Sequence, residues 1–289
     1  MAAPEKRSLL PRSMGDYVYA PWLKAVRQSG QPFYEFAYDW RRDLLESSDG
    51  LEKFAEAIKA KHPGEKIQVV SHSMGGYLSL AVLNRRPEFF NRMVFVGVPF
   101  TGGLAFLPDM QMGSATGLNK RVLSPRVLFS FPSIYCLFPE NSFEMVAANG
   151  QPAGVDFFNA EDWYKYHLGV FSDPTWEANA QQMSFLTTLL KRAKKMKEMM
   201  RPRPISYPPV VAIVGKEQAT LARVQREVRT DGGISWDFKS LPKEPGDGRV
   251  CLTHALPPAG IPYTVFYSKA EHSSQLNDPE VIRLILDHP

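Results

Sequence analysis

The sequence predicts an α/β fold, a mostly parallel sheet flanked by helices, and three observations carry that reading. Up to Val98 the chain alternates runs of strand and helix period, and such alternation builds crossovers that lay strands parallel and helices over both faces. After Thr101 the alternation lapses for about a hundred residues, then resumes at Val210. Between these stretches, Ile67 to Ser71 runs straight into an apolar helical segment through His72-Ser73-Met74-Gly75-Gly76. With 289 residues, 44% hydrophobic and 12% aromatic, the chain can bury a large core.

Taken in order, Tyr19, Trp22, Leu23 and Val26 fall at i, i+3, i+4 and i+7, which predicts an amphipathic helix over 16–28 closed by Ser29-Gly30. Phe33 to Tyr38 reads as a strand. Leu51, Phe54, Ala55 and Ile58 repeat the helical spacing, and Pro63-Gly64 stops that helix. Ile67 to Ser71 is a strand, Gly76 to Asn84 a buried helix and Met93 to Val98 a strand. From Thr101 to Tyr207 the chain is rich in Phe, Met, Pro and Trp, with one long helical candidate, Trp176 to Met200. Val210 to Gly215 and Tyr263 to Tyr267 resume the strands, and Asp278 caps a last helix with Pro279 at its first position. Residues 1–103 and 208–289 are therefore expected to form the core, and 104–207 a helical cap inserted into it.

The chemistry centres on Ser73. A serine hydroxyl becomes a useful nucleophile when a base takes its proton and donors hold the resulting oxyanion. A tight strand-to-helix turn exposes its apex residue, and small residues two positions either side, here Ser71 and Gly75, let strand and helix pass closely. The helix points its N-terminus at the apex, so the Met74 N–H is the candidate oxyanion donor. A turn that uses serine and glycine only for capping is the plain alternative. Asp247, in Pro245-Gly246-Asp247-Gly248, is the candidate acid, with Glu217 as rival and an ordinary Asp-Gly turn as the plain alternative. His272, in Ala270-Glu271-His272-Ser273, is the candidate base, against a solvent-facing loop histidine. His72 is adjacent to Ser73 but is expected to point away from it.

Composition narrows the rest. The formal charge of +4 comes from Lys191 to Arg203, with seven Lys/Arg against one Glu, so a general nucleic-acid binder is disfavoured. That run, interleaved with Met196, Met199 and Met200, is either a solvated helix end or a contact to an anionic membrane surface. Cys136 and Cys251 read as core residues rather than a disulfide framework. No run of about 18 apolar residues exists. MAAPEKRSLLPRSMGDY has no signal-peptide core, so as written the protein is expected to be cytoplasmic, or secreted or lysosomal if its N-terminus is incomplete. No metal or cofactor is expected, and a monomer is.

Several stretches together resemble the lecithin:cholesterol acyltransferase family of α/β-hydrolases. They are Tyr38-Asp39-Trp40-Arg41, His72-Ser73-Met74-Gly75-Gly76, Gly97-Val98-Pro99-Phe100-Thr101-Gly102-Gly103, Gly246-Asp247-Gly248-Arg249-Val250 and His272. The resemblance spans about residue 17 to the end. It implies an α/β-hydrolase fold, Ser73 as nucleophile, Asp247 as orienting acid, His272 as base, and a lipid or phospholipid substrate. It also implies a cap that houses the acyl chain. Leu104, Phe106, Tyr135 and Leu137 have the apolar character for such a pocket, and equally for packing the cap. Arg249 stands where the family more often has Thr.

The family's N-terminal strands, including the one that ends in the oxyanion loop, are missing from the reading: the fifteen residues MAAPEKRSLLPRSMG contain neither. In the family that strand lies between those matching Phe33 to Tyr38 and Ile67 to Ser71. The expected function is a serine-dependent lipid acyl hydrolase or O-acyltransferase. The alternative is a catalytically weak or inactive relative acting as a lipid-binding or interaction protein.

Overall fold

In the computed structural model the described residues are 14–116, 119–230 and 232–287. The segment before α1, in which the sequence shows neither strand nor oxyanion loop, lies outside them. Helix α1 (Met14–Gln28) is followed by an extended stretch. Helix α2 (Leu44–Lys61) starts where the Asp43 carboxylate accepts from the Leu45 N–H. Strand β1 (Ile67–His72), helix α3 (Gly75–Arg85) and strand β2 (Phe90–Val96) complete the first crossover.

The section between β2 and the next sheet strand holds α4 (Leu107–Met112), a hairpin of β3 (Ser114–Thr116) and β4 (Asn119–Leu123), α5 (Pro125–Phe129), β5 (Met145–Val146), α6 (Ala160–Lys165) and α7 (Ala180–Met200). Helix α7 opens on a reciprocal cap between Asn179 and Gln182. The chain then returns as β6 (Val210–Gly215), β7 (Gln218–Thr220), β8 (Val224–Val228), β9 (Ile234–Asp237), β10 (Glu244–Gly246), β11 (Thr264–Ser268) and α8 (Pro279–Leu286). Strand β5 pairs with β8, and β8 with β9, so the inserted section draws on residues after β6 as well.

The central sheet has the order β1-β2-β6-β11, all neighbours parallel. Side chains alternate across it: Met93 and Phe95 face one apolar layer with α2, α3 and α7, while Val94 and Val96 face the other with α1 and α8. His72 is in register with Val96, Val96 with Ile213, and Ser268 with Gly215, which aligns the carboxyl ends of all four strands. Loops that leave those ends converge, and sites in such sheets lie there.

One expectation is corrected. Phe33 to Tyr38 is extended but belongs to no strand, because a strand needs a hydrogen-bonded neighbour and a cavity of about 980 Å³ separates this stretch from β1. The methionines of the basic run do not sit on an outer surface. Met196 and Met200 are buried against the core and Met199 is partly buried, since on a helix packed over α3 these positions turn inward. Three of the run's charges lie beside carboxylates: Arg192 by Asp43, Lys195 by Glu198 and Arg201 by Glu140. Among the described residues no helix is long and apolar enough to cross a membrane.

Candidate active site

Ser73 occupies the apex of the β1–α3 turn with φ of 52°, a left-handed conformation that a non-glycine residue adopts only when its surroundings hold it. Its N–H donates to the Val96 carbonyl at 2.9 Å, which anchors the apex to β2. Space for the turn comes from Gly76: a Cβ there would fall 2.2 Å from the Val98 side chain, whereas at Gly75 the nearest atom is the Tyr38 hydroxyl at 3.9 Å. Behind the turn the Ser79 hydroxyl donates to that of Ser71 at 2.9 Å, so the serine at the place where the elbow pattern asks for glycine is accommodated by a polar contact.

The Ser73 hydroxyl lies 2.9 Å from His272 Nε2, and His272 Nδ1 lies 2.8 Å from the Asp247 carboxylate. An ionised carboxylate only accepts, so Nδ1 carries the proton and Nε2 is free to accept from Ser73. Asp247 is 1% exposed and its other oxygen accepts from the Arg249 and Val250 N–H groups at 2.9 and 2.7 Å. Burial, the largest influence, pushes its carboxyl up. The His272 hydrogen bond and charge, with the two backbone donors, outweigh it and hold the carboxyl below its usual range. The His272 N–H in turn donates to the Asp247 carbonyl. Glu217, the rival acid, is not in this chain of contacts. Met74 caps α3 immediately after Ser73, which leaves its N–H beside the hydroxyl at a helix N-terminus.

His72 does more than its sequence position suggests. Its Nε2 is 2.8 Å from the His272 carbonyl, and only a donor can meet a carbonyl, so its Nδ1 accepts from the Tyr19 hydroxyl at 2.8 Å. The two imidazoles lie 4.8 Å apart. Burial first, then the neighbouring His272, lowers the His72 pKa to about 4, so it stays neutral. Its position, last in a strand and one before a strained apex, is the sequence signal that was available.

A family model described as lecithin:cholesterol acyltransferase matches residues 13–277. The chain belongs to that family. Phospholipase A(1) LCAT3 of Arabidopsis thaliana is 27% identical over 133 residues, 40% of this chain and 29% of that protein. The uncharacterized protein YJR098C of Saccharomyces cerevisiae is 26% identical over 154 residues, 53% of this chain and 23% of that protein. The matches thus cover about a quarter of these relatives' lengths. The crystal structure of the Tle4-Tli4 complex superposes with a TM-score of 0.61 at 13% identity, over 86% of this chain and 66% of that one, a likeness of fold. The fold of this family member is the α/β-hydrolase arrangement, a parallel sheet flanked by helices with a sharp strand-to-helix turn.

Leu104, Phe106, Tyr135 and Leu137 are read from the sequence either as lining an acyl pocket or as packing the cap. Leu104, Phe106 and Leu137 border a space of only about 10 Å³, and Tyr135 is fully buried with its hydroxyl on the Phe129 carbonyl and its ring 5.1 Å from Trp163. They pack the cap. The cavity that reaches Ser73 and Met74 is the one of about 980 Å³ beside β1. Both cysteines are buried free thiols pushed up to about 12, chiefly by burial, and neither offers a thiolate. Among the described residues no cluster of three or more His, Cys, Asp or Glu is arranged to hold a metal.

Proposed function

We propose that this chain is a serine-dependent lipid acyl hydrolase or O-acyltransferase that works through an acyl-enzyme on Ser73. The observation that carries the reading is the hydrogen-bonded run from Ser73 through His272 to Asp247, at 2.9 and 2.8 Å. His272 Nε2 takes the Ser73 proton as Oγ bonds to the ester carbonyl carbon and the carbonyl electron pair moves onto oxygen. The Met74 N–H meets that oxyanion, and Asp247 stabilises the imidazolium. The intermediate collapses, the carbon–oxygen bond to the leaving alcohol breaks, and His272 returns its proton to that alcohol. Water then attacks the acyl-serine in hydrolysis, or a lipid hydroxyl in transfer, by the same proton path. Phospholipase A(1) among the relatives supports a phospholipid as acyl donor.

The test uses the purified chain with a fluorophosphonate probe, then phosphatidylcholine vesicles containing diacylglycerol. Covalent labelling that disappears in Ser73→Ala, with release of fatty acid or formation of triacylglycerol, is expected. A folded sample in which labelling does not depend on Ser73 overturns the reading. One feature favours a second reading, a catalytically weak relative that holds lipid or a partner: the open cavity at Ser73, where the Met74 N–H is the one oxyanion donor identified among the described residues.

A further inference from the structure

His72 ends β1, one residue before Ser73, and shares with Val70 the face of the sheet turned to α1 and α8. From there it makes two hydrogen bonds to segments far away in the chain. Its Nε2–H donates to the His272 carbonyl at 2.8 Å, and its Nδ1 accepts from the Tyr19 hydroxyl of α1 at 2.8 Å. A neutral imidazole has one N–H, so the hydroxyl seated on Nδ1 keeps the proton on Nε2, where the carbonyl needs it. Helix α1 grips the same loop at its other end. In the short 3₁₀ helix His272–Asn277, the Asn277 side chain accepts from the Trp22 N–H at 3.3 Å and donates to the Val18 carbonyl at 3.0 Å. The loop is thus fixed at its first residue through His72 and at its last through α1.

Ser73 and His272 are therefore joined twice. One link is the 2.9 Å contact of Oγ with Nε2, and the other runs along the main chain from Ser73 to His72 and on to the His272 carbonyl. The chemistry treats the two links differently. Once Oγ is bonded to an acyl carbon it has no proton to donate, so the first link is gone when His272 must take a proton from water or from a lipid hydroxyl. The second link contains no reacting atom and persists. Asp247 holds the His272 ring and N–H from the acid side throughout, and His72 holds the residue from the side of the nucleophile.

We propose that His72 is a positioning residue for the second half of the reaction: it ties the main chain of the base to the strand of the nucleophile, so that His272 stays in place over the acyl-serine. The inference rests on the reading of Ser73 as the acylated residue. A neutral ring suits this place, because a cation with its ring centre 4.8 Å from the imidazolium formed on His272 would oppose it. Loss of the tether slows release of the acyl group more than its capture, whereas a side chain that only packs affects both steps alike.

The test uses p-nitrophenyl butyrate, with rates taken per Ser73 labelled by fluorophosphonate so that misfolded protein is not counted. Acylation is read from single turnovers with the protein in excess, and deacylation from the decay of acyl-Ser73 in intact mass spectra. His72→Phe keeps a ring and removes donor and acceptor, while His72→Gln returns an amide N–H near the place of Nε2. In His72→Phe acylation is expected to stay within about twofold of the unaltered chain while deacylation falls about tenfold, the scale on which a misplaced catalytic group acts. His72→Gln is expected to recover most of that loss. Equal slowing of the two steps, no slowing, or a Gln variant as slow as the Phe variant overturns the tether. A chain that forms no acyl-Ser73 overturns the serine reading instead, and the tether is then decided by proton NMR on a Ser73→Ala background, where the Oγ link is absent. There the low-field signal of the His272 Nδ1–H is expected to broaden with His72→Phe and to sharpen again with His72→Gln, and a signal unchanged by His72→Phe overturns the tether.

Discussion

Around Tyr135 in the cap, Phe138, Phe157 and Trp163 pack ring on ring at 4.7 to 6.1 Å and are almost wholly buried. Around Phe33 to Tyr38, residues of the same apolar and aromatic kind border a cavity of about 980 Å³. The cap residues close on one another because side chains from many short elements can shift to fill space. The flank of the sheet does not, because β1 and the stretch 31–38 are each held at their ends by packed helices and their backbones need a partner of fixed width. Apolar composition thus says that a region is buried or binds something apolar. It does not say which.

The comparison is put under most strain at Ser73, which opens to the cavity and not to the cap. Ser73→Ala is expected to remove fluorophosphonate labelling altogether, and a labelled residue in the cap would reverse the roles of the two regions. Next in size is stability. Trp163→Ala, at a fully buried ring whose N–H bonds the Phe157 carbonyl, is expected to cost about 3–5 kcal/mol in denaturant unfolding. Phe33→Ala, on the cavity wall and 36% exposed, is expected to cost under about 1 kcal/mol. Equal losses would mean that the two walls are equally packed.

His72 tests the cavity side through pH. Its folded pKa of about 4 lies below the unfolded value near 6.5, so below 6.5 the unfolded chain binds the proton and the folded one does not. Stability should fall between pH 6.5 and 4, by roughly 3 kcal/mol from this group, and His72→Gln should flatten that part of the profile. Lys197 tests the cap side in the same way. It is 4% exposed on the inner face of α7, its ammonium on the Tyr77 hydroxyl, and burial lowers its pKa to about 8. Between pH 8 and 10.5 the unfolded chain binds more protons, so stability should rise with pH there. Lys197→Met should raise stability by about 1–2 kcal/mol at pH 7 and remove the rise, read by thermal melts.

Much of this is legible in the sequence. The sheet strands other than the Phe33 stretch fall within a few residues of their expected places, because period-two and period-3.6 patterns are local. Ser73 and His272 meet because each follows the carboxyl end of a parallel strand, β1 and β11, whereas Asp247 arrives from β10, which pairs with β7 outside that sheet. What the sequence could not show depends on distant neighbours. Whether Phe33 to Tyr38 becomes a strand is decided by what lies beside it, and that the ring of His72 packs on His272 depends on a residue two hundred positions away. The short strands β3, β4, β5, β7, β8, β9 and β10 have two to five residues each, too few for a period to register.

Arg249 has two attachments. Its N–H holds the Asp247 carboxylate at 2.9 Å, while its guanidinium clasps Asp109 of α4 at 2.6 Å and covers the Phe106 ring. One residue therefore ties α4 to the acid loop. A cap exchanged for another would leave the Arg249 guanidinium without its anion unless it brought a carboxylate to the place of Asp109, so a change in the cap reaches the acid loop through a single side chain.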